Sequence, residues 1–324
     1  MQGPSRREVF AMSAAATAAA ALPAGAARAQ GAEAGSAPGP LSPAFRYSVG
    51  EIAVWPVYDG MRGFPLQDGF VTNASLDEVR GAFETAMRGT ETIENPFTPT
   101  LIRSGDRLVL IDTGNGPQEG ESPVGRLVDN LAAAGIAPGD IDMVVISHFH
   151  GDHISGLRDA SGAPMFPNAE LLVPEGEVAY WLDEGEMSRA PEGRRAGFER
   201  ATSLFDGLER RPYAGGDELA PGIVAVDAHG HAPGHMAFRV QSGSEGLLLI
   251  SDAAHLPFLF VSNPEWSVRF DMDPDMARET RRRLLDEAAA DRLMIAGYHW
   301  GFPNVGHVRR AGAGFDFVRA PWPS

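Results

Sequence analysis

The run Ser147-His148-Phe149-His150-Gly151-Asp152-His153 packs three histidines and an aspartate into six positions, directly behind the apolar stretch Met143-Val144-Val145-Ile146. A buried strand that empties into so many nitrogen and oxygen donors reads as the rim of a metal centre. In extended backbone, side chains two apart point the same way, so His148 and His150 are expected to grip one ion together. Asp152 and His153, past the Gly151 bend, turn toward a second. The chain must therefore fold so that other segments supply the remaining ligands.

Composition narrows which residues those are. Cysteine is absent from the 324 residues, which excludes disulfides, thiolate metal sites, iron–sulfur clusters and cysteine nucleophiles. All 27 basic residues are Arg, so lysine Schiff-base and general-base chemistry is excluded as well. Any metal must rest on His, Asp or Glu, and all nine histidines lie between His148 and His307. The net charge of −16 argues against nucleic acid and anionic membranes as partners.

Residues 1–29 have the layout of an export signal: Ser5-Arg6-Arg7-Glu8-Val9-Phe10, an Ala-rich apolar run, then Ala27-Arg28-Ala29 before Gln30, an A-x-A-type cleavage site. The paired arginines indicate the twin-arginine route, which carries folded proteins to the periplasm or beyond. The apolar segment Ala11 to Leu22 is too short for a stable membrane anchor. Residues 30–44 are small and Pro-rich and read as a flexible lead-in, leaving 45–324 as the folded domain.

Within that domain, strand-like runs fall at 52–60, 100–103, 108–112, 143–146, 171–173, 223–226, 237–240, 247–250 and 293–296. Ser75 and Glu78 form a capping box for a helix to about Met87. Pro123 to Ala134 has helical spacing of Val124, Leu127, Val128 and Leu131, and residues 175–212 read as two helical pieces. Asp273-Pro274 opens a helix running to about Ala290. Strand groups with interspersed helices predict two sheets covered by helices, a mixed α/β (α+β) four-layer αββα sandwich.

The other chemically capable residues recur at strand ends: His231 after the strand ending at Val226, Asp252 after Leu247 to Ile250, and His299 after the strand ending at Ala296. One such residue alone is an ordinary turn former or hydrogen-bonded histidine; three in equivalent places indicate one site. With its H-x-H-x-D-H run and the turn Leu110-Ile111-Asp112-Thr113-Gly114, the chain resembles the metallo-β-lactamase superfamily. That resemblance implies His148, His150 and His231 on one metal, Asp152, His153 and His299 on the other, and Asp252 bridging. It also implies Asp112 as an outer hydrogen-bond acceptor. Oxygen and imidazole donors suit two divalent cations, zinc foremost.

Two adjacent cations can share a water and lower its pKa toward about 7, which implies hydrolysis of a carbonyl or phosphoryl centre with Asp152 serving the leaving group. The segments Ser251-Asp252-Ala253-Ala254-His255, Phe270-Asp271-Met272-Asp273 and His299 to His307 are similar to the methyl parathion hydrolase-like group of dizinc enzymes. Acyl-homoserine lactonases share the seven ligands but carry Tyr three residues after the bridging Asp. Here that position is His255, either a donor to a substrate oxygen or a ring packed against the metal ligands. His229, His235 and His307 are read as structural.

The expected activity is hydrolysis of an ester, lactone or phosphotriester, with quorum-quenching lactonase as the alternative. Aromatics near the site would select a small apolar or aryl substrate. The candidates are Phe149, Trp181, Phe198, Phe258 and Trp300, followed by Phe97, Phe260 and Phe302; the 175–212 segment lies where the similar enzymes build a lid, and its Tyr180-Trp181 pair is the preferred pocket element. A serine hydrolase is disfavoured because no G-x-S-x-G occurs. A noncatalytic periplasmic metal carrier is disfavoured because a carrier has no need of seven ligands split between two ions. A homodimer is compatible with this reading.

Overall fold

Period-two alternation in the short apolar runs decides which way each strand faces. The computed structural model describes residues 45–321; the expected export signal and lead-in lie outside the described residues. In chain order the strands are β1 (Tyr47–Val49), β2 (Ile52–Pro56), β3 (Gly60–Pro65), β4 (Thr92–Phe97), β5 (Thr100–Ser104), β6 (Arg107–Ile111), β7 (Met143–Val145), β8 (Glu170–Pro174), β9 (Arg211–Tyr213), β10 (Glu218–Ala220), β11 (Ile223–Asp227), β12 (Met236–Ser242), β13 (Glu245–Leu249), β14 (Met294–Ala296), β15 (Val305–Ala311) and β16 (Gly314–Arg319). The helices are α1 (Leu76–Thr85), α2 (Leu127–Ala133), α3 (Gly151–Ile154), α4 (Glu175–Trp181), α5 (Glu184–Arg189), α6 (Glu192–Phe205), α7 (Pro257–Phe260) and α8 (Pro274–Ala290).

Two mixed seven-stranded sheets result, ordered β1-β2-β5-β6-β7-β8-β9 and β10-β11-β12-β13-β14-β15-β16. In β6, Val109 and Ile111 point into the core shared by the two sheets, while Leu108 and Leu110 point to the helix side. Leu247 and Leu249 of β13 enter the same inter-sheet core, and Leu248 turns outward. Leu127 and Leu131 of α2 and Phe198, Ala201 and Phe205 of α6 cover one outer face. Val79 and Phe83 of α1 and Leu284, Leu285 and Ala288 of α8 cover the other. The expected four layers are present, with α1, α2, α6 and α8 each burying one stripe against a sheet.

Local chemistry explains most boundaries. Glu78 N–H donates to Ser75 Oγ and Ser75 N–H donates to the Glu78 carboxylate at 2.8 Å, closing the expected box. The expected 123–134 helix begins only at Leu127, because Gly125 sits at φ +85° and the Leu127 N–H is capped from a distant loop by Asp59 Oδ1 at 3.0 Å. Residues 175–212 hold three helices rather than two: Asp183 caps the second through the Glu186 N–H at 2.7 Å, and Pro191 separates it from the third. The β3–β4 ribbon and the β15–β16 hairpin are additions to the expected set. Pro96 hid the former, since proline survives only at such edges. Among the described residues no helix is long and apolar enough to cross a membrane.

Candidate metal centre

Parallel pairing gathers the site. β6 runs parallel to β7 and β13 parallel to β14, so the loops leaving all four open on one edge of the sandwich. β11 is antiparallel to β12, which is antiparallel to β13, so the loop after β11 reaches the same edge. These loops carry Asp112, His148 to His153, His231, Asp252 and His299. Two of them turn through left-handed backbone at residues other than glycine, Asp112 (φ 63°) and Ser251 (φ 45°). The strain, of order 1 kcal/mol or more at each, is held by a shared network. Ser147 N–H and Oγ–H donate to Asp112 at 2.7 and 2.8 Å, and Ser147 Oγ lies 2.9 Å from Ser251 Oγ.

His148, His150, His231 and Asp252 converge with donor atoms within 4.8 Å of one another, and Asp152, His153 and His299 do the same beside them. Asp252 joins the two groups. Its Oδ2 lies 3.3 Å from His231 Nε2 and 3.1 Å from His299 Nε2, and its Oδ1 lies 3.4 Å from His153 Nε2. Asp152 Oδ2 stands 3.6 Å from His153 Nε2 and 3.4 Å from His299 Nε2. Donors held at about 2.0–2.1 Å around a tetrahedral cation are roughly 3.4 Å apart, which is this spacing.

Unpartnered atoms make the same point independently. His148 Nε2, His153 Nε2 and Asp252 Oδ1 are buried without any hydrogen-bond partner, a condition native proteins avoid. His231 Nε2 and His150 Nδ1 are 2.9 Å apart, two ring nitrogens that need a proton or a cation between them. The residues present therefore fit a pair of cations. The far ring nitrogens are tied down: His153 Nδ1 to Asp112 Oδ2 at 2.8 Å, His231 Nδ1 to Asp271 Oδ1 at 3.0 Å and His299 Nδ1 to the Pro96 carbonyl at 2.9 Å. Such bonds fix the tautomer that leaves Nε2 free to ligate.

Electrostatics favours the ligating forms of His148, His150 and Asp252, and holds a proton on His153 until a cation replaces it. Burial, then the neighbouring imidazoles, holds His148 and His150 well below the ordinary histidine pKa, so both are neutral. At His153 burial pulls the same way, but Asp252, Asp112 and Asp152 outweigh it and raise the ring well above its usual range. Burial would raise Asp252, yet His299, His153 and His255 hold it well below the usual carboxylate value. The second cluster is thus a place that seeks positive charge.

Several supporting groups had no role in the sequence reading. Asp271 fixes His231 and is itself held by the buried Arg281, whose Nη2 donates at 3.2 Å. Glu177 of α4 is fully buried and accepts from the Phe149 N–H at 2.7 Å, the Gly234 N–H at 2.6 Å and the Trp181 indole at 2.9 Å. It clamps the loop of His148 and His150 to that of His231. Burial raises its pKa to about 6 against these three donors. Tyr298 Oη–H donates to the Asp152 carbonyl at 2.6 Å. His235 Nε2 accepts from the Asp252 N–H at 3.1 Å, a structural role for that histidine.

The centre opens into a cavity of about 760 Å³. His150, Asp152, His231, Asp252, His255 and His299 reach it. Of the expected pocket aromatics, Trp181 and Phe97 line it. Six do not, because packing claims them. Phe149 stacks on Phe205 at 4.3 Å behind the ligand loop, and Phe198 is fully buried under α6. Phe258 meets Phe83 edge-on at 4.9 Å, and Trp300 is fully buried against Phe317. Phe260 also belongs to the core, and Phe302 packs against Phe45 and Tyr58. Phe270, 37% exposed, is the aromatic at the mouth that the sequence reading passed over.

Comparison with known proteins agrees with this geometry. The family model described as the metallo-beta-lactamase superfamily matches residues 98–299. A probable metallo-hydrolase of Mycobacterium tuberculosis is 29% identical over 176 residues, 47% of this chain and 55% of that protein. An N-acyl homoserine lactonase of Bacillus thuringiensis is 26% identical over 172 residues, 52% of this chain and 60% of that protein. The chain thus matches little more than half the length of these relatives. Among solved structures, AidC, a dizinc quorum-quenching lactonase, aligns over 86% of this chain and 98% of its own with a TM-score of 0.78 at 23% identity. The hydrolase AbOPH aligns over 88% and 100% with a TM-score of 0.81 at 24% identity.

Proposed function

Since this chain belongs to the metallo-beta-lactamase superfamily, we propose that it is a dinuclear metal-dependent hydrolase of esters, lactones or phosphotriesters, with zinc as the metal. The observation that carries the reading is the convergence of seven His and Asp donors on two adjacent points, three of their atoms buried without a partner. His148, His150 and His231 would hold one ion, Asp152, His153 and His299 the other, and Asp252 both. When bound, the pair supplies a nucleophile from water near neutral pH and positive charge where an oxyanion develops.

The chain's own groups do the rest. Asp152, with a quarter of its side chain exposed, is the more open of the two cluster carboxylates that reach the cavity, placed to hold and deliver the proton that a departing alkoxide takes. His255 has both ring nitrogens buried without a partner, Nε2 standing 3.5 Å from Asp252 Oδ2. It can turn an N–H toward a substrate oxygen. Glu177, Asp271 and Asp112 act as positioning residues through the histidines and loops they hold. Hydrolysis of N-acyl homoserine lactones is the second reading, favoured by the lactonase named among the relatives and opposed by His255 at the position where lactonases carry Tyr.

Metal analysis together with a panel of aryl esters, lactones and phosphotriesters tests the proposal. We expect two ions per chain and turnover abolished by a chelator and restored by zinc. Activity indifferent to chelation, or fewer than two ions, overturns it. We further propose export by the twin-arginine route, on the strength of Arg6-Arg7 and the Ala27-Arg28-Ala29 site. Changing both Arg6 and Arg7 to Lys should retain the chain in the cytoplasm, and undiminished export would remove that route.

A further inference from the structure

Four arginines line the cavity above the candidate metal centre: Arg62 of β3, Arg194 and Arg200 of α6, and Arg269 before α8. Arginine on a surface is ordinary in a chain without lysine, and of the twenty arginines outside the cavity among the described residues half are matched with acid. Ten other arginines of the described residues stand within 4.0 Å of a carboxylate, Arg281 and Arg239 among them. None of the four in the cavity is among them, although the chain holds 43 acidic residues to 27 basic. Their contacts are neutral: Arg62 donates to Gln118 Oε1 at 3.0 Å, Arg194 to Tyr180 Oη at 3.4 Å, and Arg269 lies 4.9 Å over the Phe270 ring.

Their placement is directed at the reacting end. A Cβ built on Gly151 would lie 2.8 Å from Arg200 Nη1, so the guanidinium rests on the glycine between His150 and Asp152. On the opposite side, Arg269 covers Phe270, whose ring is 5.9 Å from His255, which in turn stacks on His299 at 4.6 Å. Gly193, Ala196, Gly197 and Arg200 form one face of α6 at spacings of three and four, and all four border the cavity. Gly193 faces open space there, Gly197 lets the Trp181 ring lie against the helix, and cations flank the room. Asp271 is spent on His231 and Arg281, and Asp152 and Asp252 are ligands that two dications outweigh.

We infer that the substrate of this site carries an oxyanion, a carboxylate or phosphate, remote from the bond to be broken, and that Arg200 and Arg269 receive it. The planar guanidinium fork suits both groups. A cleft of one sign in a chain of the other also concentrates such substrates against the overall field. This takes the place of the expected selection for apolar or aryl groups, whose aromatics are mostly core. It rests on the hydrolase reading for the bond broken, but not for the binding of the anion.

Calorimetric titration of the zinc-loaded protein with butyrate, glutarate and 4-phosphonobutyrate separates the two. Each probe offers one carboxylate to the metals, and only the latter two offer a second anion. Glutarate or 4-phosphonobutyrate should bind about tenfold more tightly than butyrate, the tighter of the two identifying the group. The double variant Arg200→Gln/Arg269→Gln should erase that preference. Equal affinities in the native protein, or a preference that survives the double variant, overturn the inference. If the variant does not fold, salt decides on the native protein: raising NaCl from about 20 to 300 mM should collapse the preference, since pairs this exposed are screened, and an undiminished preference overturns it. The esters 4-nitrophenyl butyrate and mono-4-nitrophenyl glutarate complete the test. Hydrolysis of neither, with the glutarate preference intact, sinks the hydrolase reading and leaves the anion site standing. Hydrolysis of both with equal kcat/KM sinks the anion site and leaves the hydrolase.

Discussion

On the strand-end rim, His153, His231 and His299 are each held from behind by Asp112, Asp271 and the Pro96 carbonyl. On the wall formed by α6, Arg194 and Arg200 are held by a single 3.4 Å contact with a tyrosine hydroxyl and by packing over a glycine. The rim is buried and its donors are placed before anything binds. The wall is exposed, and its cations are free to move onto a ligand. Chemistry that tolerates little displacement sits on the ends of core strands, and discrimination between substrates sits on a helix that can vary without disturbing them.

The sharpest way to break that contrast is to remove a rim donor. His150→Ala should lower kcat/KM by about a thousandfold or more while circular dichroism and the unfolding midpoint stay near native, because the apolar core is untouched. An active, folded variant would mean that the rim is not the reacting centre. Next in size is the inner face of the wall. Phe198 is fully buried between Tyr180, Trp181 and the sheet, and Phe198→Ala should destabilise the fold by about 3–5 kcal/mol, read by denaturant titration. A loss below about 1 kcal/mol would show that α6 is not anchored by this face.

A smaller effect tests the outer support. Asp271→Asn keeps the shape but weakens the hold on His231 Nδ1 and leaves Arg281 short of its counter-charge. Zinc affinity should fall by about 10–100-fold, measured by competition with a chromophoric chelator, with the second ion less affected than the first. Equal weakening of both ions would argue that Asp271 acts on the fold rather than through His231.

The difference between rim and wall also explains what the sequence disclosed. His148, His231, Asp252 and His299 each follow a short apolar run, and a buried strand ending in a ligand is visible in one dimension. Asp271 and Glu177 were not visible as supports, because their partners lie 40 and 57 residues away and acidic residues in polar stretches look like surface. The aromatics misled for a simple reason: Phe149, Phe198 and Trp300 are aromatic because the core needs volume there. In α6 the informative pattern was the small one, Gly193, Ala196, Gly197 and Arg200, lying opposite the apolar positions Phe198, Ala201 and Phe205. Reading polar helices for the face that is kept small would have found the cavity wall.

The smallest expected effect lies where rim and wall meet. His255 is stacked on His299 with ring planes 14° apart and is bordered by Phe270 beneath Arg269, so its substitution acts on the substrate's reacting carbonyl without removing one of the seven donors. His255→Tyr replaces a ring whose nitrogens have no partner by a hydroxyl on a longer stem, reaching further toward the cavity. One added hydrogen bond to the carbonyl of a ring-closed ester is worth about 0.5–1.5 kcal/mol. The ratio of kcat/KM for a lactone to that for an open-chain aryl ester should therefore rise by about two- to tenfold, with zinc content unchanged. An unaltered ratio would remove His255 from contact with substrate. Loss of an ion would instead assign its Nε2 to the group formed with Asp252 and His299, moving this residue from the wall to the rim.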